Sequence, residues 1–290
     1  MTEPAVTRVR QWPNKLEHPL LVLGFEGWID AGLGGITATT ALLADTPTEM
    51  LATFDTDLLL DQRARRPIMR IENGVNMGLT WPEITLRWGA NRSGRSLLVL
   101  SGPEPDLRWR QFTSEVVALG RQLGVELVIG LGAFPAPVPH TRPVRLSATA
   151  TTPELAQVVG FLPATIDVPA GIHASLERGF AEAGVAAVGI WAQVPHYTAA
   201  MPYPAASAAL LDKLAEMGGL SIDSSGLHTA GAQTFSQIEQ LIANSEEHQA
   251  MVRQLERQLD QEPGTGILGR LPSGDELAAE LERFLRGEQQ

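Results

Sequence analysis

Short apolar runs alternate along the chain with longer stretches in which apolar residues recur every three or four positions. This is the pattern of βαβ units, and it predicts a three-layer α/β/α fold around a mostly parallel sheet. The runs place strands at Leu20–Gly24, Glu49–Phe54, Ile84–Trp88, Ser96–Ser101, Leu127–Leu131, Val144–Ala150 and Ala187–Gln193. LLVL at Leu97–Leu100, LVIGL at Leu127–Leu131 and AAVGI at Ala186–Ile190 are continuously apolar, as strands covered on both faces must be.

The helical stretches predict helices at Leu33–Leu43, Trp109–Leu123, Ile172–Ala183 and Ala205–Met217. In the second of these, Trp109, Phe112, Val116, Leu119 and Leu123 share one face and Gly124 supplies the stop. After Gly231 the pattern changes. Phe235, Ile238, Leu241, Ile242, Met251, Val252, Leu255 and Leu259 mark one face of a long helix, or of two helices joined near Asn244, with Ser245 and His248 interrupting the stripe. Pro263–Gly266 (PGTG) reads as a linker, and Ser273 to Glu276 has the S-x-x-E form of a capping box ahead of ELAAELERFLR. The expected organisation is an α/β domain over residues 1–230, a helical extension over 231–262, and a linker with a short amphipathic helix over 263–290. That last helix either folds back on its own domain or docks on a partner.

Charge and composition narrow the function. A length of 290 residues with 44% hydrophobic content supports a sizeable core. The net charge of -11 opposes attraction to nucleic-acid phosphates and to anionic lipid, so neither partner is expected. The absence of cysteine excludes disulfides, thiolate metal sites and cysteine nucleophiles. The six histidines are scattered without H-x-H or H-x-x-x-H spacing, so no metal site is expected. With no signal-peptide pattern and no apolar run of about 20 residues, a soluble cytoplasmic protein is expected.

Four strand-to-loop corners carry the candidate chemistry. The first, LLVLGFEGWIDAGLGGITATTALL at Leu20–Leu43, looks like a phosphate cradle. It has no Gly-Lys pair for a P-loop, and Thr37 stands where a dinucleotide fingerprint needs its third glycine. Glu26 and Asp30 add negative charge to the same loop, so close helix–sheet packing with Asp30 as a helix cap competes with ligand binding there. The second, LVLSGPEPDLRW at Leu98–Trp109, has no nucleophile elbow around Ser101 but places Glu104 and Asp106 at the end of a central strand, as an acid/base pair or as helix-terminal charge. The third, IGLGAFPAPVPHTRPVR at Ile129–Arg145, holds His140 and Arg142 in a proline-stiffened loop, as an acid/base and an anion ligand or as a rigid connector. The fourth, QVPHYTAAMPYP at Gln193–Pro204, gathers His196, Tyr197 and Tyr203 for a pocket or a subunit contact. No cofactor motif is complete, and no cofactor is expected.

In this order GFEGWIDAGLGG, VLSGPEPDLRW, IGLGAFPAPVPHTRPV and GIWAQVPHYTAAMPYPAASAALLDKL resemble the proteasome assembly chaperone family, in its actinobacterial and archaeal branch. The resemblance extends over about Leu20–Gly218. It implies an α/β/α domain similar to nucleoside phosphorylases, self-association, with a trimer as the expected form, and proteasome α subunits as candidate partners. The family has also been labelled an ATP-grasp-like carboligase group, yet Lys15 and Lys213 are the only lysines here, and no ATP-grasp lysine pattern is visible. Eukaryotic relatives can end in a hydrophobic–tyrosine–any-residue docking motif, whereas this chain ends LRGEQQ. The implied function is a chaperone-like scaffold acting through protein–protein contacts. The competing reading is a nucleoside or phosphorylated-ligand enzyme or sensor, with Asp30, Glu104, His140, Arg142, His196 and Tyr197 around a phosphorylase-like cleft.

Overall fold

The protein is described here by a computed structural model covering residues 5–27 and 29–261. Strand β2 (Leu20–Glu26) sends Leu21, Leu23 and Phe25 to one side and Leu20 and Val22 to the other, and all five are buried. Because neither face meets water, the strand reads as an unbroken apolar run. The same holds for β7 (Ser96–Pro103), β8 (Leu127–Ala136) and β10 (Ala186–Pro195). These four form the parallel centre of an eight-stranded sheet, in the order β7-β2-β8-β10.

The sheet is finished by antiparallel strands. On one side lie β6 (Thr85–Ala90), β3 (Glu49–Phe54) and β1 (Thr7–Val9); on the other lies β9 (Leu146–Ala150). Helices α3 (Trp109–Gln122) and α5 (Ile172–Glu182) cover one face through Phe112, Leu119, Leu176 and Phe180. Helices α1 (Gly34–Asp45) and α6 (Pro204–Gly218) cover the other through Leu42, Leu210, Leu211 and Leu214. Each fully buried leucine or phenylalanine contributes about 1.5–3 kcal/mol, so the two cores on either side of the sheet dominate stability.

Helix α7 (Ser225–Ala243) packs on α6 through Ile238 and is followed by α8 (Glu246–Gln261). The break falls at Asn244. Ser245 caps α8 by accepting a bond from the His248 amide at 3.3 Å, and Glu246 and Glu247 sit favourably in the first turn. The residues that interrupt the apolar stripe are thus the helix start signal. Since α7 begins at Ser225, the change of pattern at Gly231 lies inside a helix. The PGTG linker and the Ser273 capping box lie outside the described residues.

Strand β1 carries no sequence-based expectation, nor do α2 (Thr56–Leu59), α4 (Pro153–Val159) and a hairpin of β4 (Ile68–Glu72) with β5 (Val75–Thr80). Asn73 and Gly74 join the hairpin with φ values of 50° and 81°, the positive pair a type I′ turn requires. Every residue of both strands is exposed.

Candidate functional site

The loops after β2, β7, β8 and β10 leave the C-terminal end of the parallel strands, where open α/β folds place ligands. At the glycine-rich corner the chain satisfies its own amides. The Asp30 carboxylate accepts from the amides of Gly35 at 2.6 Å and Ile36 at 3.0 Å. Gly34 donates to Ala31, Leu33 to Asp30 and Gly32 to the Ala199 carbonyl. The anion-binding potential of the α1 N-terminus is therefore filled from within. Burial pushes the Asp30 carboxyl above its usual range despite the two bonds it accepts. A side chain at Gly35 would lie 2.6 Å from the Leu131 carbonyl oxygen, which explains why glycine stands where α1 crosses β8.

The same arrangement recurs at α5. Buried Glu104, in the loop after β7, accepts from the Ile172 amide at 2.6 Å, and Ile172 is the first residue of that helix. Its backbone amide bonds Glu26, tying the loop to the end of β2. Asp106 accepts from the Asp61 amide at 2.8 Å and lies beside Arg65.

His140 and Tyr197 form the centre of a third cluster. The Tyr197 hydroxyl accepts from the His140 backbone amide at 2.9 Å and lies 2.7 Å from Nδ1. Burial raises the Tyr197 pKa, so the phenol keeps its proton. On the other side of the ring, Nε2 lies 2.8 Å from Oε1 of Glu239 on α7. The imidazole is fully enclosed, edge-on to Tyr197 and against Phe235. Tyr197 also meets His196 edge-on, and Tyr203, with its pKa pushed up to about 12 by burial, belongs to the neighbouring core.

Two residues on, Arg142 faces α8. Its guanidinium grips Asp260 with two bonds of 3.0 and 2.7 Å and reaches Glu256 at 3.1 Å, while Thr141 donates to the same Glu256 oxygen at 2.6 Å. These contacts, the bonds to Asp260 first, hold the Arg142 pKa above its ordinary value and the Asp260 pKa below its own. Leu259 packs beside Phe134, Ala136 and Val138 from β8 and the proline-rich loop. Loop and helices form one unit.

The structure thus brings His140, Arg142, His196 and Tyr197 together, and assigns Asp30 and Glu104 to separate helix N-termini. Glu239, Glu256 and Asp260 complete the cluster and were not foreseen. The available signal was the four-residue spacing of Glu256 and Asp260, which puts two carboxylates on one helix face to meet an arginine fork.

A polar groove of about 270 Å³ lies elsewhere, between α1 and the sheet, with Glu26, Thr39, Glu83, Arg87 and Ser101 among its lining. Arg87 is engaged there with the Thr48 hydroxyl and carbonyl, both at 2.9 Å. Among the described residues no group of three or more histidine or acidic side chains is placed to hold a metal ion. Nor is any described helix long and apolar enough to cross a membrane.

Fold and site together define a three-layer α/β/α protein in which two helix N-termini at the strand ends are occupied by the chain's own carboxylates. The chain belongs to the PAC2 family, whose family model matches residues 24–242. It is 36% identical to Rv2714, a Mycobacterium tuberculosis protein of unknown function, over 90% of this chain and 92% of that one, with a TM-score of 0.82. A proteasome-assembly chaperone homologue of the same organism, Rv2125, is 31% identical over 80% of this chain and 99% of its own, with a TM-score of 0.75. The fold extends to the archaeal proteasome activator PbaB of Pyrococcus furiosus, at 15% identity over 81% of this chain and 97% of that one, with a TM-score of 0.64. No curated protein sequence matches the chain significantly. The carboligase label finds no support among these relatives.

Proposed function

We propose that the protein is a chaperone-like scaffold that self-associates and acts through protein–protein contacts, with unassembled proteasome α subunits as its candidate client. The observation that carries this reading is the occupation of the α1 and α5 N-termini by Asp30 and Glu104. A nucleotide or phosphorylated ligand needs such amides free. Here a phosphate would have to displace the half-buried Asp30 carboxylate from one and the buried Glu104 carboxylate from the other. His140 supports the same reading, since both its ring nitrogens are engaged within the chain. Kinship with a proteasome-assembly chaperone homologue supports a test against proteasome subunits.

The test is co-purification with separately produced, unassembled α subunits, compared with assembled α rings. Capture of the free subunits is expected. Failure to capture either form overturns the client assignment. A thermal-shift series with nucleosides, nucleotides and inorganic phosphate should leave the melting temperature unmoved. A ligand present at 100 times its Kd would add about 2.7 kcal/mol, and such a shift would restore the small-molecule reading.

A further inference from the structure

We propose that the β4–β5 hairpin of one copy packs on the 158–168 segment of a second copy, a contact between unlike surfaces; this rests on the self-associating scaffold reading and names its interface. The hairpin exposes Ile68, Met69, Ile71, Val75, Met77 and Leu79, from 47% for Leu79 to 74% for Ile68; Met69, paired with Leu79, shares a face with it and with Ile71, whereas Ile68, paired with Thr80, lies on the other. Its Asn73-Gly74 turn sets it as a preformed arm, yet a two-stranded hairpin with no face covered is marginal in water. Strand β5 (VNMGLT) carries no charge and no proline, the devices that protect a free sheet edge.

A complementary surface lies on the same chain. Val158 at the end of α4 and Phe161, Ile166 and Val168 on the irregular stretch after it are exposed. In residues 61–81 Arg70 pairs with Glu72 and Arg65 with Asp106, which leaves exposed Arg63 and Arg66 against Asp61, whereas residues 151–170 carry Glu154 and Asp167 with no lysine or arginine. Basic and apolar therefore meets acidic and apolar. In strand order the arm springs from the β3–β6 side of the sheet, and the receiving stretch starts at β9, the edge strand on the other side. The two apolar patches together amount to on the order of 1,000 Å², which with a polar rim reaches the ~1,200–2,000 Å² buried by stable interfaces. A second copy brings both surfaces in equal number, and a contact between unlike patches closes into a ring when its rotation permits.

The experiment uses the full chain and light scattering after size exclusion at micromolar concentration. Wild type is expected above the monomer mass. An arm variant, Ile71→Glu with Leu79→Glu, and a receiving variant, Phe161→Glu with Val168→Glu, should each run as monomers. All four positions are exposed, so far-UV circular dichroism should stay unchanged. Mixed in equal amounts, the two variants should form a one-to-one dimer, because one intact arm meets one intact receiving surface. A monomeric wild type overturns the proposal together with self-association. An oligomeric wild type whose mass survives both variants overturns this interface alone. Loss of α-subunit capture by the arm variant with its oligomer intact shows that a different protein occupies the arm, and equally overturns it.

Discussion

Nε2 of His140 lies 2.8 Å from Oε1 of Glu239, a residue 99 positions later on α7. The bond runs from a fully enclosed ring to a half-exposed carboxylate, and so fastens the loop after β8 to the helical extension. A relay of tyrosine, histidine and carboxylate looks like acid–base machinery, but here each ring nitrogen already has its partner.

His140→Ala should destabilise the protein by about 1–3 kcal/mol, because the Tyr197 hydroxyl loses its ring partner and the enclosed ring leaves a void. Glu239→Gln keeps an acceptor for Nε2 and should cost under about 1 kcal/mol. Urea unfolding of the two variants checks the ordering, and equal losses would refute the relay.

Arg142→Ala should speed amide hydrogen exchange along Glu246–Gln261 and leave α6 unchanged. Arg142→Lys should restore little, since an ammonium lacks the planar fork that engages both Asp260 oxygens. Exchange mass spectrometry reads both outcomes.

His173 supplies a pH dependence. Its ring lies edge-on to Phe25 and to Trp191, and its Nε2–H donates to the Leu23 carbonyl at 3.3 Å. Burial lowers its pKa to about 4, against 6.5 in the unfolded chain. The unfolded state thus takes up a proton before the folded state does. The stability due to the neutral ring is complete above pH 6.5 and falls as pH drops toward 4, by at most about 3 kcal/mol. Unfolding free energies at intervals between pH 7 and pH 4 should show this slope, and His173→Gln should flatten it.

Gly35→Ala should cost about 1–3 kcal/mol, since the added methyl meets the Leu131 carbonyl oxygen, which belongs to a central strand and has nowhere to move. Gly226→Ala, where a Cβ meets nothing within 4 Å, serves as the helical control and should be neutral or slightly stabilising. Thermal unfolding of the pair separates packing from propensity.

The parallel strands were legible because burial on both faces leaves an apolar run, as in Leu20–Gly24 and Ala187–Gln193. Both strands continue beyond those runs, to Glu26 and Pro195, where polar and proline residues conceal the end from a hydropathy reading. The β4–β5 hairpin was missed for the opposite reason: with every residue exposed, no inside-and-outside alternation marks it, and Asn73-Gly74 is its only local signal. Half of the candidate cluster was legible as His140, Arg142, His196 and Tyr197. Their acidic partners were not, because α7 and α8 reach them only through tertiary folding.

At the glycine-rich corner, Gly32 donates its amide to Ala199 and accepts from the Tyr203 amide, both at 2.8 Å. Two loops nearly 170 residues apart in sequence are thus stitched main chain to main chain, a seam that most side-chain substitutions leave intact. Because it runs through backbone atoms, the seam leaves the outer surfaces free to change, so one scaffold can be re-addressed to new partners without being rebuilt.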